Sequence, residues 1–294
     1  MVRKRETVLF IVNPIAGSDS KRQIPDRIVK SLDSNRFIPS IVYSKNPGNA
    51  TEIAKEHYDK GIRKIVAVGG DGTVNEVAKI LISTNSTLGI IPLGSGNGLA
   101  RHLKIPFNIN LAVNLINRDQ IAMLDFGLIN QTPFFCTAGV GFDALVGYKF
   151  GQLKERGFTN YVKTTIKEFF RYQPQSYTLR DNGQALNKEA FLITVANASQ
   201  FGNNAYIAPN ADVTDGMLDV TIISPFPKFL SPSFGIKLFN RKLGRSRYVE
   251  MFRIKQLTIE RKEPGFVHFD GEPASMEENL TFKVKPMGLN VFVP

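Results

Sequence analysis

The sequence predicts an α/β domain built on a parallel sheet with glycine-rich phosphate turns, followed by an all-β sandwich domain. Three observations carry this. Up to about residue 125, short apolar runs rich in β-branched residues alternate with stretches of helical periodicity, the pattern of strands buried on both faces of a parallel sheet. Three of those strands end in loops of glycine and other turn residues. Beyond residue 125 helical stretches become few, and short strands follow one another with turn residues between them, as in an antiparallel sandwich. The expected division is 1–125 for the α/β domain and 126–294 for the sandwich, with the last strand free to pack back on the first domain.

Taken in order, residues 8–12 read as a strand, with Asn13-Pro14-Ile15-Ala16-Gly17 as its turn. A helix is expected over 24–32, a strand around Ile38, a helix over 50–58 and a strand over 64–68. Gly69-Gly70-Asp71-Gly72 then forms a turn, and Val74, Val77, Ala78 and Leu81 mark a helix over 73–81. Residues 88–92 are another strand, with the turn Leu93-Gly94-Ser95-Gly96-Asn97-Gly98 leading into a helical stretch at 99–103. Glycine lets backbone N–H groups approach an anion closely, and the following helix adds its unsatisfied amides and positive dipole end. Phosphate suits such a turn. Asp71 would repel it unless a cation lies between them or the carboxylate serves as a proton acceptor. The plain alternative, an ordinary βα turn with a capping aspartate, weakens once three such turns converge.

Strands are expected in the second half at 123–129, 133–137, 177–180, 191–196, 218–223, 254–260, 266–269, 280–284 and 290–293. Two amphipathic stretches interrupt them. Residues 157–172 place Val162, Ile166, Phe169 and Phe170 on one side and Lys163, Lys167 and Arg171 on another, as for a helix packed on the sandwich. Residues 225–247 interleave aromatic and basic residues closely enough for a membrane-surface patch to compete with packing.

Composition is that of an ordinary globular protein, 43% hydrophobic and 21% charged. The formal net charge of +11 favours anionic partners. Cys136 is the only cysteine, so no internal disulfide forms and a reducing compartment is expected. The apolar run 8–12 is too short for a signal core, and no run reaches membrane-spanning length. A cytoplasmic protein meeting the inner face of a membrane peripherally is expected. His57, His102 and His268 lack metal-ligand spacing, no Gly-x-Ser-x-Gly elbow or Gly-x-x-x-x-Gly-Lys-Ser/Thr loop occurs, and no nucleic-acid-binding signature is present.

Asp212, Asp215 and Asp219 put three carboxylates into a short turn segment, which can hold a divalent cation or form a hairpin turn. Asp270-Gly271-Glu272 follows a strand and reads by itself as a tight turn.

NPIAG, GGDGTVNEV and PLGSGNGLAR, in this order and spacing and together with the two C-terminal motifs, resemble the catalytic domain of the diacylglycerol kinase and sphingosine kinase superfamily, most of all its soluble bacterial lipid kinases. The resemblance covers nearly the whole chain. It implies an ATP-dependent kinase that moves the γ-phosphoryl group to a hydroxyl of a membrane lipid, diacylglycerol-like or a sphingoid base, using Mg²⁺. Asn13, Pro14, Gly17, Ser44, Gly69, Gly70, Gly72, Thr73, Asn75, Glu76, Gly94, Ser95, Gly96 and Asn97 would then hold nucleotide. Asp71 would bind the catalytic Mg²⁺ or act as base, with Asp270 and Glu272 completing the catalytic set. Asp212, Asp215 and the Met217 carbonyl would hold a structural Mg²⁺. The lipid headgroup would lie in the interdomain cleft and acyl chains in the apolar sandwich, and a homodimer is compatible with the family. The chain departs from diacylglycerol kinases at Gly98, where those usually carry Asp, and is closer there to the Ser-Gly-Asn of sphingosine kinases. An NAD kinase, or an inactive regulator binding nucleotide and acidic membranes, is the alternative.

Overall fold

The structure, a computed structural model, describes residues 5–16, 23–152, 158–181 and 183–294. The chain divides into two compact units, Met1–Leu124 with Met287–Pro294, and Asp125–Pro286.

The first unit contains β1 (Glu6–Val12), α1 (Ile24–Ser31), β2 (Phe37–Tyr43), α2 (Asn49–Asp59), β3 (Lys64–Gly69), α3 (Asp71–Leu81), β4 (Thr87–Pro92), α4 (Gly98–His102) and α5 (Ile109–Arg118). Its strands run parallel in the order β2-β1-β3-β4. Val8 to Ile11 and Ile65 to Val68 are completely buried, as the uninterrupted apolar runs require of a sheet covered on both faces. Helix α1 packs with α5, and α2 with α3. Helix α5 was not expected, although Asn108 accepts hydrogen bonds from the N–H groups of Asn110 and Leu111 as a regular N-cap.

The second unit opens with the later part of β5 (Ile121–Ile129), then β6 (Thr132–Phe134), β7 (Thr137–Gly141), α6 (Phe142–Gly151), α7 (Phe158–Arg171), β8 (Gln175–Asp181), β9 (Gln184–Ala190), β10 (Leu192–Ala196), β11 (Leu218–Ile223), α8 (Ser231–Phe239), β12 (Val249–Ile254), β13 (Gln256–Arg261), β14 (Gly265–Phe269), β15 (Glu272–Met276) and β16 (Asn279–Phe292). Strands β12-β11-β10-β7-β14-β15 form one antiparallel sheet. Strand β13 pairs antiparallel with β8 and with the first part of β16, and β8 pairs with β9. Ala138, Val140, Ile193 and Val220 of the first sheet share a core with Tyr177, Ile259, Leu280 and Phe282 of the second, so the unit is a sandwich. The other face of the six-stranded sheet is covered as well: Leu192, Ala196 and Ile223 are buried with Phe142, Tyr172 and Phe234 from the helical segments.

Several expectations on this half need correction. The strand at 133–137 breaks at Phe135 and Cys136 into β6 and β7, and the two final strands are one continuous β16, whose last residues Asn290 and Val291 pair parallel with β4. Strands β9, β12 and β15 and helix α6 were not foreseen. In the amphipathic stretch 157–172, Gly157 and the side chain of Val162 lie outside the described residues. Phe169 packs inward there while Ile166 and Phe170 face outward.

Candidate active site

The strand order reverses between β1 and β3, since β1 is followed in sequence by β2 on one side and by β3 on the other. Ligands of open parallel sheets bind at the carboxyl ends of the strands beside such a reversal. The turn after β1 and the turn after β3 meet there. Asn13 donates its backbone N–H to the Val68 carbonyl at 2.9 Å, accepts from the Ile15 N–H through Oδ1 at 2.9 Å, and donates through Nδ2 to Thr73 Oγ1 at 3.2 Å. One side chain thus shapes its own turn and ties it to the first turn of α3.

The turn after β3 is shorter than the sequence suggests. Helix α3 begins at Asp71 rather than Thr73, with extended Gly70 as its N-cap. Gly72 is therefore helical, and the amides of Gly72 and Thr73 belong to the first turn, where N–H groups have no carbonyl partner inside a helix. A Cβ on Gly69 would stand 2.5 Å from Thr73 Oγ1.

The turn after β4 lies directly against this one. A Cβ on Gly94 would stand 2.6 Å from the Gly70 Cα, and one on Gly96 would stand 2.6 Å from Asp71 Oδ2. Asp71 reaches across: Oδ2 accepts from the Asn97 N–H and Oδ1 from the Gly98 N–H, both at 2.7 Å. Asn97 has φ of 53°, a left-handed conformation that asparagine tolerates better than most residues. Its side chain closes the loop, accepting from the Gly94 N–H at 3.1 Å and donating to the Gly94 carbonyl. Arg101 Nε donates to the Gly96 carbonyl at 2.8 Å, a contribution the sequence reading did not anticipate. Three turns are thus assembled around the N-terminus of α3, where the helix dipole and exposed amides favour an anion.

Not every expected nucleotide residue joins this cluster by a contact. Glu76 accepts from the N–H groups of Gly48 and Ala50, at 2.9 and 3.0 Å, and so caps α2 from a neighbouring helix. Gly48 is a glycine N-cap with no side chain of its own to do this. Asn75 is buried, Ser44 is buried at the end of β2 with its N–H on the Val12 carbonyl, and Pro14 and Ser95 are exposed. Gly17 lies outside the described residues.

In the second unit, Asp270 and Gly271 form a hairpin tip, both with positive φ. Asp270 Oδ2 accepts from the Phe135 N–H at 2.8 Å, and Oδ1 from the N–H groups of Cys136 and Thr137 at 2.7 and 3.2 Å. It therefore bridges the break between β6 and β7. Glu272 starts β15 and is partly exposed. His268 is buried with Nε2 2.9 Å from Asp143 Oδ2, which also accepts from Thr194 Oγ1 at 2.9 Å.

The acidic turn is internally committed. Asp212 Oδ1 accepts from the Thr214 N–H and hydroxyl, Asp215 Oδ1 from the Met217 N–H, and Asp215 Oδ2 pairs with Arg253 at 3.1 Å. Buried Asp125, missed by the sequence reading, accepts the Gly216 N–H at 2.6 Å. Burial pushes the Asp219 carboxyl up to about 6, with Arg253 opposing and Asp215 and Asp212 adding to the rise. Among the described residues no three His, Cys, Asp or Glu side chains form a metal-ligand group. The two side chains of the expected Mg²⁺ set, Asp212 and Asp215, thus lie in one turn, and Asp215 is also paired with Arg253.

Comparison with known proteins agrees with this architecture. The diacylglycerol kinase catalytic domain family matches residues 7–129 and the YegS C-terminal NAD kinase beta sandwich-like domain family matches residues 136–293. A Pseudomonas aeruginosa protein named "Probable lipid kinase YegS-like" is 31% identical over 84% of this chain and 82% of its own. A "Diacylglycerol kinase" of Mycobacterium tuberculosis is 26% identical over 73% and 72%. A solved Bacillus anthracis structure that covers 98% of both chains has a TM-score of 0.79 at 28% identity. With both halves matched in order, the chain belongs to the lipid kinases of the diacylglycerol kinase and YegS type.

Proposed function

We propose that the protein transfers the γ-phosphoryl group of a magnesium–ATP substrate to the hydroxyl of a lipid presented at a membrane surface. The observation that carries this reading is the pairing of the two glycine turns, in backbone contact at Gly70 and Gly94 and bridged by Asp71. Phosphoryl transfer asks a protein mainly for positioning and charge neutralisation. The first-turn amides of α3 would receive the phosphates. Asn13, Asp71 and Asn97 fix the turns that surround them, so their role is to hold geometry before substrate arrives.

In the reaction the lipid oxygen forms a bond to the γ-phosphorus, the bond from phosphorus to the β–γ bridging oxygen breaks, and ADP leaves with that oxygen. The hydroxyl proton needs an acceptor. Protonation of Asp71 or Asp270 would weaken the backbone amide bonds each accepts, so the proposal gives that task to Glu272, the third carboxylate of the expected catalytic set. The magnesium ion, brought with the nucleotide, neutralises phosphate charge.

Radiolabelled ATP supplied with mixed micelles, each carrying diacylglycerol, a sphingoid base, monoacylglycerol, ceramide or phosphatidylglycerol, tests this. A labelled lipid is expected, and a sphingoid base in particular would fit Gly98. Label appearing on NAD⁺ instead, or on no acceptor, would overturn the proposal.

A further inference from the structure

The outer surface of the second unit carries a second signal. Beneath α7 and α8 lies a half-buried aromatic row packed on the core: the rings of Phe169 and Phe226 are 6.1 Å apart, and those of Phe226 and Phe234 are 4.1 Å apart. Lys228 Nζ donates to the Phe170 carbonyl at 2.7 Å, so the 3₁₀ turn Lys228–Leu230 lies against the end of α7. Over this inward row sits an outward one. Ile166 and Phe170, one turn apart on α7, are 56% and 63% exposed; Phe229 in the 3₁₀ turn is 80% exposed; Ile236 and Phe239 on α8 are 62% and 51% exposed. Single exposed apolar residues are normal, but large ones gathered on adjoining elements mark an interaction surface.

The charge on 225–247 is of one sign, and on α7 Lys163, Lys167 and Arg171 outnumber Glu168. Residues 225–247 contain Lys228, Lys237, Arg241, Lys242, Arg245 and Arg247 and no Asp or Glu. Among the described residues none of these six is ion-paired with a carboxylate. A second copy docked on this face would bring like charges together, because a two-fold interface sets the same patch against itself. A surface offering apolar depth beneath a layer of negative charge matches both features.

We propose that α7, the turn Lys228–Leu230 and α8 form a docking face for an anionic lipid bilayer, with Phe170, Phe229, Ile236 and Phe239 entering the acyl boundary and the cations at phosphate level. This deepens the lipid-kinase reading by naming the face that meets the membrane, and docking itself requires no nucleotide.

Cosedimentation of the full chain with phosphatidylcholine vesicles, with and without phosphatidylglycerol, and without nucleotide, is the test. Binding is expected only with phosphatidylglycerol, and it weakens as salt rises. Phe229→Ser with Ile236→Ser is expected to lower partitioning at least about tenfold, and Lys242→Gln or Arg245→Gln roughly fivefold each. Unchanged thermal melting would show these variants folded, and transfer to a monomeric short-chain acceptor, expected unchanged, reads the kinase separately. Wild-type binding that ignores phosphatidylglycerol, or a folded double variant that binds vesicles as wild type does, would overturn the proposal. So would a wild-type dimer that the double variant loses, which would assign the face to a second copy. If vesicles bind as expected but no lipid is ever labelled, the docking face stands and the kinase reading falls.

Discussion

At the start of α3, Asp71 reaches sideways to the turn after β4; at the tip of the β14–β15 hairpin, Asp270 reaches back to the break between β6 and β7. The sequence suggests the same role for both, a carboxylate in a short glycine-containing motif beside the chemistry. Both bind backbone amides with both oxygens, yet what they hold differs. On the proposed reading Asp71 fixes a loop that surrounds the nucleotide, so its loss should appear in binding and turnover. Asp270 holds the irregular segment between β6 and β7, inside a sandwich, so its loss should appear in stability.

The largest expected effect that would sharpen this contrast is Glu272→Gln. Loss of a positioned general base lowers turnover by roughly 10²–10⁴-fold, while the melting temperature stays at the wild-type value. Near-normal turnover in this variant would return the base role to Asp71 or Asp270. Gly94→Ala comes next. Its Cβ would stand 2.6 Å from the Gly70 Cα and 3.0 Å from Asn97 Oδ1, so overpacking of about 1–3 kcal/mol is expected, together with loss of ATP binding in a fluorescent-nucleotide titration. Unimpaired binding would show that the two turns need not touch.

Asp270→Asn should cost about 2–4 kcal/mol in denaturant unfolding, because three amides lose a charged acceptor. Asp71→Asn should leave unfolding closer to wild type but raise the ATP dissociation constant roughly tenfold or more. Reversal of that pair, with Asp71→Asn the less stable, would break the comparison. The smallest effect is expected from Glu76→Gln. It weakens the cap on α2 by about 1 kcal/mol and leaves ATP affinity unchanged, whereas a matching loss of affinity would restore Glu76 to the nucleotide site.

The docking face and the paired turns also differ in how they were read. GGDG and GSGNG are contiguous, and together with NPIAG and the C-terminal motifs they are specific, so the turns stand out in the sequence. The docking face depends on which of two adjacent phenylalanines, Phe169 or Phe170, turns inward, and only packing decides that.

The sequence by itself determined the parallel sheet, its strand–turn–helix order, and the sandwich that follows. Runs such as those around Leu9 and Val66 are apolar without interruption because both faces are buried, and burial of that kind is visible in one dimension. It did not reveal β9, β12 or β15. These are the edge strands of their sheets; QALNKEA and VEMFRI are mostly exposed, and edge strands are defined by pairing with a neighbour more than by an apolar pattern. The turn residues were legible as types, but their partners were not. Glu76 caps a helix that starts 27 residues before it, Asp270 holds amides 133 to 135 residues away, and Asp125 holds one 91 residues away. A carboxylate's identity is local, but the donors it meets are brought to it only when distant strands and turns pack together.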